Sequence, residues 1–244
     1  MNIIVSPYPS ALKRINQKNK IVVIIDILRA CTTIVHAFSQ GCKAFYPVSS
    51  IKKAREKLKQ LKGRGGVTLP LLGGERNGLK IKGFDLGNSP LEYTSDVVRN
   101  KSIIFTTSNC TKNLYACRQP KETLICSFLN IHRVVNYLSA LNDDLVIALS
   151  GSEGDFSLED AVCAGMLIDD VGARCNVPLL SDLGHICRIA YLHYKGNIID
   201  ALASSIHAKK LKSLGFEEDI KFCARIGNYE ILPRYINREI SCIQ

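Results

Sequence analysis

Short apolar runs separated by amphipathic segments recur along most of this chain, and that alternation restricts it to few folds. Residues 21–26 (IVVIID) are apolar and β-branched up to the closing Asp26. This is the pattern of a strand buried on both faces. Further strands are predicted over 3–5, 43–48, 67–72, 102–107, 123–127 and 145–150. Helical periodicity predicts helices over 30–40, 50–61, 130–141 and 157–171, and a mainly helical stretch over 179–215. Residues 219–224 and 230–233 read as late strands at a sheet edge. Strands and helices in alternation predict an α/β fold, a three-layer α/β/α arrangement with a mostly parallel (mixed) central sheet. With no internal repeat, low-complexity segment or linker, residues 1–244 read as a single α/β domain.

Apolar residues make up 46% of the chain and charged residues 22%, which excludes a disordered chain and a coiled coil. No run approaches the roughly 20 apolar residues that span a bilayer, and the first ten residues lack a signal-peptide pattern. The ten cysteines are scattered without a C-x2-C pair, so most read as small buried hydrophobes in a reducing, cytoplasmic protein. The first 100 residues hold 17 Lys and Arg against 6 Asp and Glu, so the positive excess is N-terminal and favours an anionic partner. Much of it lies in residues 51–64, where Ile51, Ala54, Leu58 and Leu61 share one helical face. No aromatic residue interleaves those charges. The segment therefore reads as a solvated helix rather than a nucleic-acid surface.

Polar residues interrupt the apolar runs at five places. Asp26 closes a strand and Arg29 follows it, a carboxylate for a cation and a guanidinium for an oxyanion. Gly73–Gly78 sets Glu75 beside Arg76 in what reads as a flexible loop. Residues 83–90 lead into Ser89-Pro90-Leu91-Glu92, the signature of a capped helix start. Residues 106–111 (TTSNCT) offer short hydroxyl and amide groups. Residues 151–160 hold acids suited to Mg²⁺, with Ser157–Asp160 resembling a second capping box. In open α/β sheets ligands gather beyond the carboxyl ends of the strands. Five such places at successive strand ends favour an anion site with a divalent metal.

Other chemistries lack their signatures. There is no Gly-x4-Gly-Lys-Ser/Thr loop, no Cys-x5-Arg loop, no Asp-x-Asp pair and no Gly-x-Ser-x-Gly elbow. His36, His132, His185, His193 and His207 lack metal-ligand spacing and read as structural or surface residues.

The segments DILRACTT (26–33), GERNG (74–78), GFDLGNSP (83–90), TTSNCT (106–111), SFLN (127–130) and SLEDAVCAG (157–165) occur in order. Asp219 with Phe222-Cys223-Ala224 follows near the end. In these segments the chain resembles the 2-phosphosulfolactate phosphatase family, from about residue 20 to about residue 233. The resemblance implies an α/β/α fold, a Mg²⁺ requirement and hydrolysis of 2-phospho-3-sulfolactate to sulfolactate and phosphate, a step of coenzyme M biosynthesis. Cys110 stands where the family has glycine, so it is expected near the bound anion. Asp26, Arg29, Glu75 and Arg76 are the expected catalytic residues. Asn88, Ser89, Thr107 and Asn109 are expected to bind substrate, and Asp26, Glu75 and Asp160 to hold the metal or orient water. The expected partner is a small anionic phosphorylated substrate, without nucleic acid or membrane, and a homo-oligomer is left open.

Overall fold

The computed structural model describes residues 1–62, 69–152, 154–227 and 229–243. In chain order its elements are β1 (Asn2–Ser6), α1 (Pro9–Leu12), β2 (Ile21–Ile25), α2 (Ala30–Ser39), β3 (Ala44–Pro47), α3 (Ile51–Lys62), β4 (Leu71–Arg76) and β5 (Leu79–Lys80). There follow α4 (Ser95–Val98), β6 (Ser102–Thr106), α5 (Cys110–Ala116), β7 (Glu122–Cys126), α6 (Ile131–Leu141), β8 (Leu145–Leu149), α7 (Leu158–Gly172) and β9 (Leu179–Leu180). The chain ends with α8 (Asp182–Tyr194), α9 (Ile198–Ser204), α10 (Ile206–Ser213), α11 (Glu217–Cys223), β10 (Leu232–Ile236) and β11 (Glu239–Ile243).

The described strands form one sheet in the order β5-β4-β6-β3-β11-β10-β7-β2-β8-β1-β9. Successive side chains of a strand point to opposite faces, and β2 shows what that produces. Ile21, Val23 and Ile25 pack with Ile131 and Leu138 of α6 and Leu167 of α7. Val22 and Ile24 pack with Ile34 and Val35 of α2 and Leu114 of α5. Helices therefore cover both faces, which is the expected three-layer α/β/α arrangement. The basic α3 is a cover helix too: its Ala54 packs on Ile104 and Leu72 while its charges face outward. Among the described residues no helix is long and apolar enough to cross a membrane.

Three expectations are corrected. Residues 219–224 alternate polar and apolar side chains, as a strand would, yet they belong to α11. The helix places Asp219, Phe222 and Cys223 on one buried face by i, i+3, i+4 spacing. Of the strand read over 230–233, only residues 232 and 233 fall in β10, and β10 is central rather than at an edge. The β10–β11 hairpin joins two parallel blocks, antiparallel to β7 on one side and to β3 on the other. The block β3-β6-β4 consequently runs against the block β7-β2-β8-β1, and strand twist accumulates between them. Finally, Gly73-Gly74-Glu75-Arg76 is not a flexible loop but the end of β4. The strand expected over 67–72 is shifted toward the C-terminus, with residues 67 and 68 outside the described set.

The two glycines serve close packing. A Cβ on Gly73 would stand 2.7 Å from the Tyr93 hydroxyl. Gly74 has φ +142, and a Cβ there would stand 2.1 Å from the Thr106 carbonyl. Only glycine lets β4 lie against β6 here. We expect Gly74→Ala to lower the unfolding free energy by roughly 1–3 kcal/mol, through overpacking and an unfavourable φ. Urea denaturation followed by circular dichroism checks this, and an unchanged midpoint would contradict the packing role.

Candidate active site

A cleft of about 420 Å³ is lined by Asp26, Arg29, Glu75, Asn88, Thr107 and Asn109, six of the residues expected from sequence. Asp26 follows β2, Glu75 ends β4, Thr107 and Asn109 follow β6, and Ser152 follows β8. Carboxyl ends from both blocks of the sheet therefore meet at one place. A direct tie confirms it: Asn109 Nδ2, beyond β6, donates to the Gly151 carbonyl, beyond β8, at 3.0 Å.

Arg29 is almost completely buried. Its Nη1 donates to Asp219 Oδ2 at 2.6 Å and its Nη2 to the Gly78 carbonyl at 2.5 Å. The guanidinium lies 4.3 Å from the centre of the Phe216 ring. Ser89 Oγ donates to the other oxygen of Asp219 at 2.7 Å. Ser89 thus supports Asp219 and is not among the residues lining the cleft, and its expected helix cap is not made. Pro90–Glu92 forms only a 3₁₀ turn, and Glu92 accepts from the Gly87 amide at 2.9 Å.

The carboxylates divide by what they touch. Glu75 accepts from the Gly78 amide at 2.9 Å and the Ser108 amide at 2.7 Å, one on each oxygen. Asp160 lies behind the lining: its Oδ1 accepts from the Ile27 amide at 2.8 Å, and its Oδ2 from the Ser150 and Gly151 amides at 3.2 and 3.1 Å. The capping box read over Ser157–Asp160 is therefore replaced by a tether between the ends of β2 and β8. Burial pushes Asp160 up to about 6 against the pull of these amides. Asp26 accepts from the Ala30 amide on Oδ1 at 3.1 Å, and among the described residues Oδ2 accepts no hydrogen bond. Burial, then the charge of Asp160, raises the Asp26 carboxyl well above the usual carboxylate range. A bound cation would relieve both effects.

Arg76 lies outside the cleft lining. Its Nη1 donates to the Glu75 carbonyl at 2.6 Å and its Nη2 to Thr106 Oγ1 at 2.9 Å. It faces a neighbouring hollow with Lys13, Ser49 and Tyr115. Cys110 is buried in the core cluster with Leu114 and Phe105 and is not among the residues lining the cleft. Burial raises the Cys31 thiol well above its ordinary range, which leaves it a poor source of thiolate.

The cleft also holds residues the sequence did not mark: Lys112, Ser152, His207 and Lys210. His207, read from sequence as structural or superficial, has its Nδ1 3.0 Å from Ser152 Oγ. Ser205 caps α10, the helix that carries His207 and Lys210, by accepting from the Ala208 amide at 3.1 Å. That cap was the available signal, and nothing local tied it to a site. Glu153, among the acids of the 151–160 segment, lies outside the described residues.

Carboxylates, neutral amide and hydroxyl groups, and cationic side chains around one cleft in a three-layer α/β fold define a small-anion site. The model of the 2-phosphosulpholactate phosphatase family matches residues 8–238. A Clostridium acetobutylicum protein named "Probable 2-phosphosulfolactate phosphatase" is 37% identical over 229 residues, covering 94% of this chain and 95% of its own. Proteins of the same name from Caldanaerobacter subterraneus and Clostridium tetani are 38% and 36% identical, covering 90% and 97% of this chain and 89% and 98% of their own. The chain belongs to the 2-phosphosulfolactate phosphatase family, and with it to the phosphoric monoester hydrolases.

Glu159 precedes Asp160 at the start of α7, and among the described residues its Oε2 is buried without a hydrogen-bond partner. Burial, then the charge of Asp160, pushes Glu159 up to about 8 from an ordinary 4.5. Between those two values the folded chain holds a proton that the unfolded chain releases, so stability falls as pH rises through this window. Glu159→Gln removes that decline. We expect the variant to match the parent near pH 4 and to melt at a higher temperature at pH 8. A lower melting temperature than the parent at pH 8 would contradict the assignment.

Proposed function

We propose that this chain is a Mg²⁺-dependent 2-phosphosulfolactate phosphatase that releases phosphate and 3-sulfolactate, the coenzyme M biosynthesis-type step implied by its family resemblance. One observation carries the metal part of this reading. Among the described residues Asn88 Oδ1 is a buried acceptor without a partner, and Asn88 lines the same cleft as the Asp26 carboxylate. Both are hard oxygen donors. Thr33 Oγ1 donates to the Asn88 carbonyl at 2.9 Å, which ties Asn88 to α2, the helix that follows Asp26.

Among the described residues no three His, Cys, Asp or Glu side chains are grouped as a metal site. Mg²⁺ does not require such a group, because it binds through one or two carboxylates and keeps several waters. Asp26 with Asn88 fits that demand better than Glu75 or Asp160, whose oxygens already accept from backbone amides. Bound there, Mg²⁺ would neutralise charge on the transferring phosphoryl group and activate water.

The chain's own residues do the rest. Thr107, Ser108 and Asn109 bring hydroxyl and amide groups to the cleft for the phosphoryl oxygens. Arg29 acts through position: its links to Asp219 and Gly78 tie the β4–β5 turn, which lines the cleft, to α11. Glu75 holds the Ser108 amide, and Asp160 holds the turns after β2 and β8.

Phosphate release from 2-phospho-3-sulfolactate tests this reading. We expect turnover with Mg²⁺, its loss in EDTA and its recovery on adding Mg²⁺ back. Removing a preorganised electrostatic group costs roughly 10²–10³ in kcat, and we expect Asp26→Asn to lose about that much. Full turnover in EDTA would remove the metal, and no turnover under any metal condition would remove the substrate.

A further inference from the structure

We infer that the outer face of α8 pairs with the same face of a second copy of this chain, across a two-fold axis that sets the two helices antiparallel. This surface is separate from the candidate active site, since no residue of α8 lines the cleft. The inner face of α8 is fixed to the body of the molecule. Gly184 and Cys187 are buried, and Ala190, Tyr191 and Tyr194 pack against the core that α7 helps to form. The contact with α7 is close, because a Cβ on Gly165 would stand 2.0 Å from the Cys187 carbonyl. The outer face carries Asp182, Ile186, Ile189 and His193, all exposed. Ile186 is 55% exposed and Ile189 61%, with Leu192 at 40% beside them. Large apolar side chains left open together on a helix so firmly seated mark an interaction surface.

The order of the stripe selects its occupant. Its residues are spaced by four, three and four positions, the spacing by which one helix meets another. It reads acid, isoleucine, isoleucine, base, and it is symmetric about the point between residues 187 and 188. A two-fold axis at that point sets Ile186 opposite Ile189 of the second copy, and Asp182 opposite the second copy's His193. Asp182 lies in the first turn of α8 and His193 in the last, so antiparallel pairing also brings opposite helix ends together. Parallel pairing would set acid against acid. Among the described residues neither Asp182 nor His193 forms an ion pair. Arg188, beside the stripe, is already held by Asp169 at 2.8 Å. A lipid surface calls for a basic border around the apolar face, whereas this stripe has an acid at one end. Because each copy presents the same patch, the contact closes at a dimer.

Sedimentation velocity of the full chain over roughly 1–300 μM tests the pairing, since one helix pair is a small interface with an expected Kd of roughly 1–100 μM. Ile186→Glu and Ile189→Glu bury a charge at the centre of the contact. Each should keep the parent's circular dichroism spectrum and weaken association roughly 100-fold or more. Asp182→Lys and His193→Asp should each weaken it about 3- to 10-fold. The double variant Asp182→Lys/His193→Asp exchanges the two ends, and its Kd should return to within about threefold of the parent's. A parent that stays monomeric across the range, or that assembles beyond a dimer, overturns the pairing. So do isoleucine variants that associate as tightly as the parent, or a double variant no tighter than the single ones.

Discussion

The guanidinium of Arg29 and the carboxylate of Asp219 meet at 2.6 Å with 1% and 3% of their side chains exposed. Taking two charges out of water is costly, and only good geometry with further hydrogen bonds offsets it. Those bonds are present: Gly78 accepts from the guanidinium, Ser89 donates to the carboxylate, and the Phe216 ring covers the cation. The pair thereby joins the turn after β2, the turn between β4 and β5, the segment before Pro90, and α11. These four pieces come from positions 29, 78, 89 and 219, of which Arg29 and Gly78 line the cleft. Removing one partner would leave the other charged and buried, which typically costs about 3–5 kcal/mol. The cleft keeps its shape because this pair is hard to break.

Around that pair the carboxylates have distinct tasks. Asp160 accepts from three backbone amides and binds the end of β2 to the end of β8. Glu75 bridges the β4–β5 turn and the segment after β6. Asp26 is left facing the cleft, destabilised as an anion by burial and by Asp160. On the proposed reading, a cation bound at Asp26 would relieve both effects and bring in the phosphorylated acid.

The layer architecture was legible because β2 and its neighbours are continuous apolar runs bounded by polar residues. Asp26 was legible for the same reason: a carboxylate closing such a run is conspicuous. Arg29 was legible as a site residue, but its partner was not, since Asp219 lies 190 positions away in a segment whose alternation imitates a strand. Gly73 and Gly74 were misread because flexibility and close packing favour the same residue type. Ser89 and Ser157 carried cap signatures that the tertiary structure overrode. His207 and Lys210 could not be found at all from sequence, because α10 is brought to the cleft only by the packing of the C-terminal helices.

The division of labour among these carboxylates is tested most directly by anomalous diffraction from crystals soaked with Mn²⁺ and 3-sulfolactate. The account predicts one Mn²⁺ peak bound by Asp26 and Asn88 Oδ1, with Asp160 still on its three amides and Arg29 still paired with Asp219. A peak bound by Glu75 or Asp160 instead, or an Arg29 released from Asp219 onto the ligand, would contradict it.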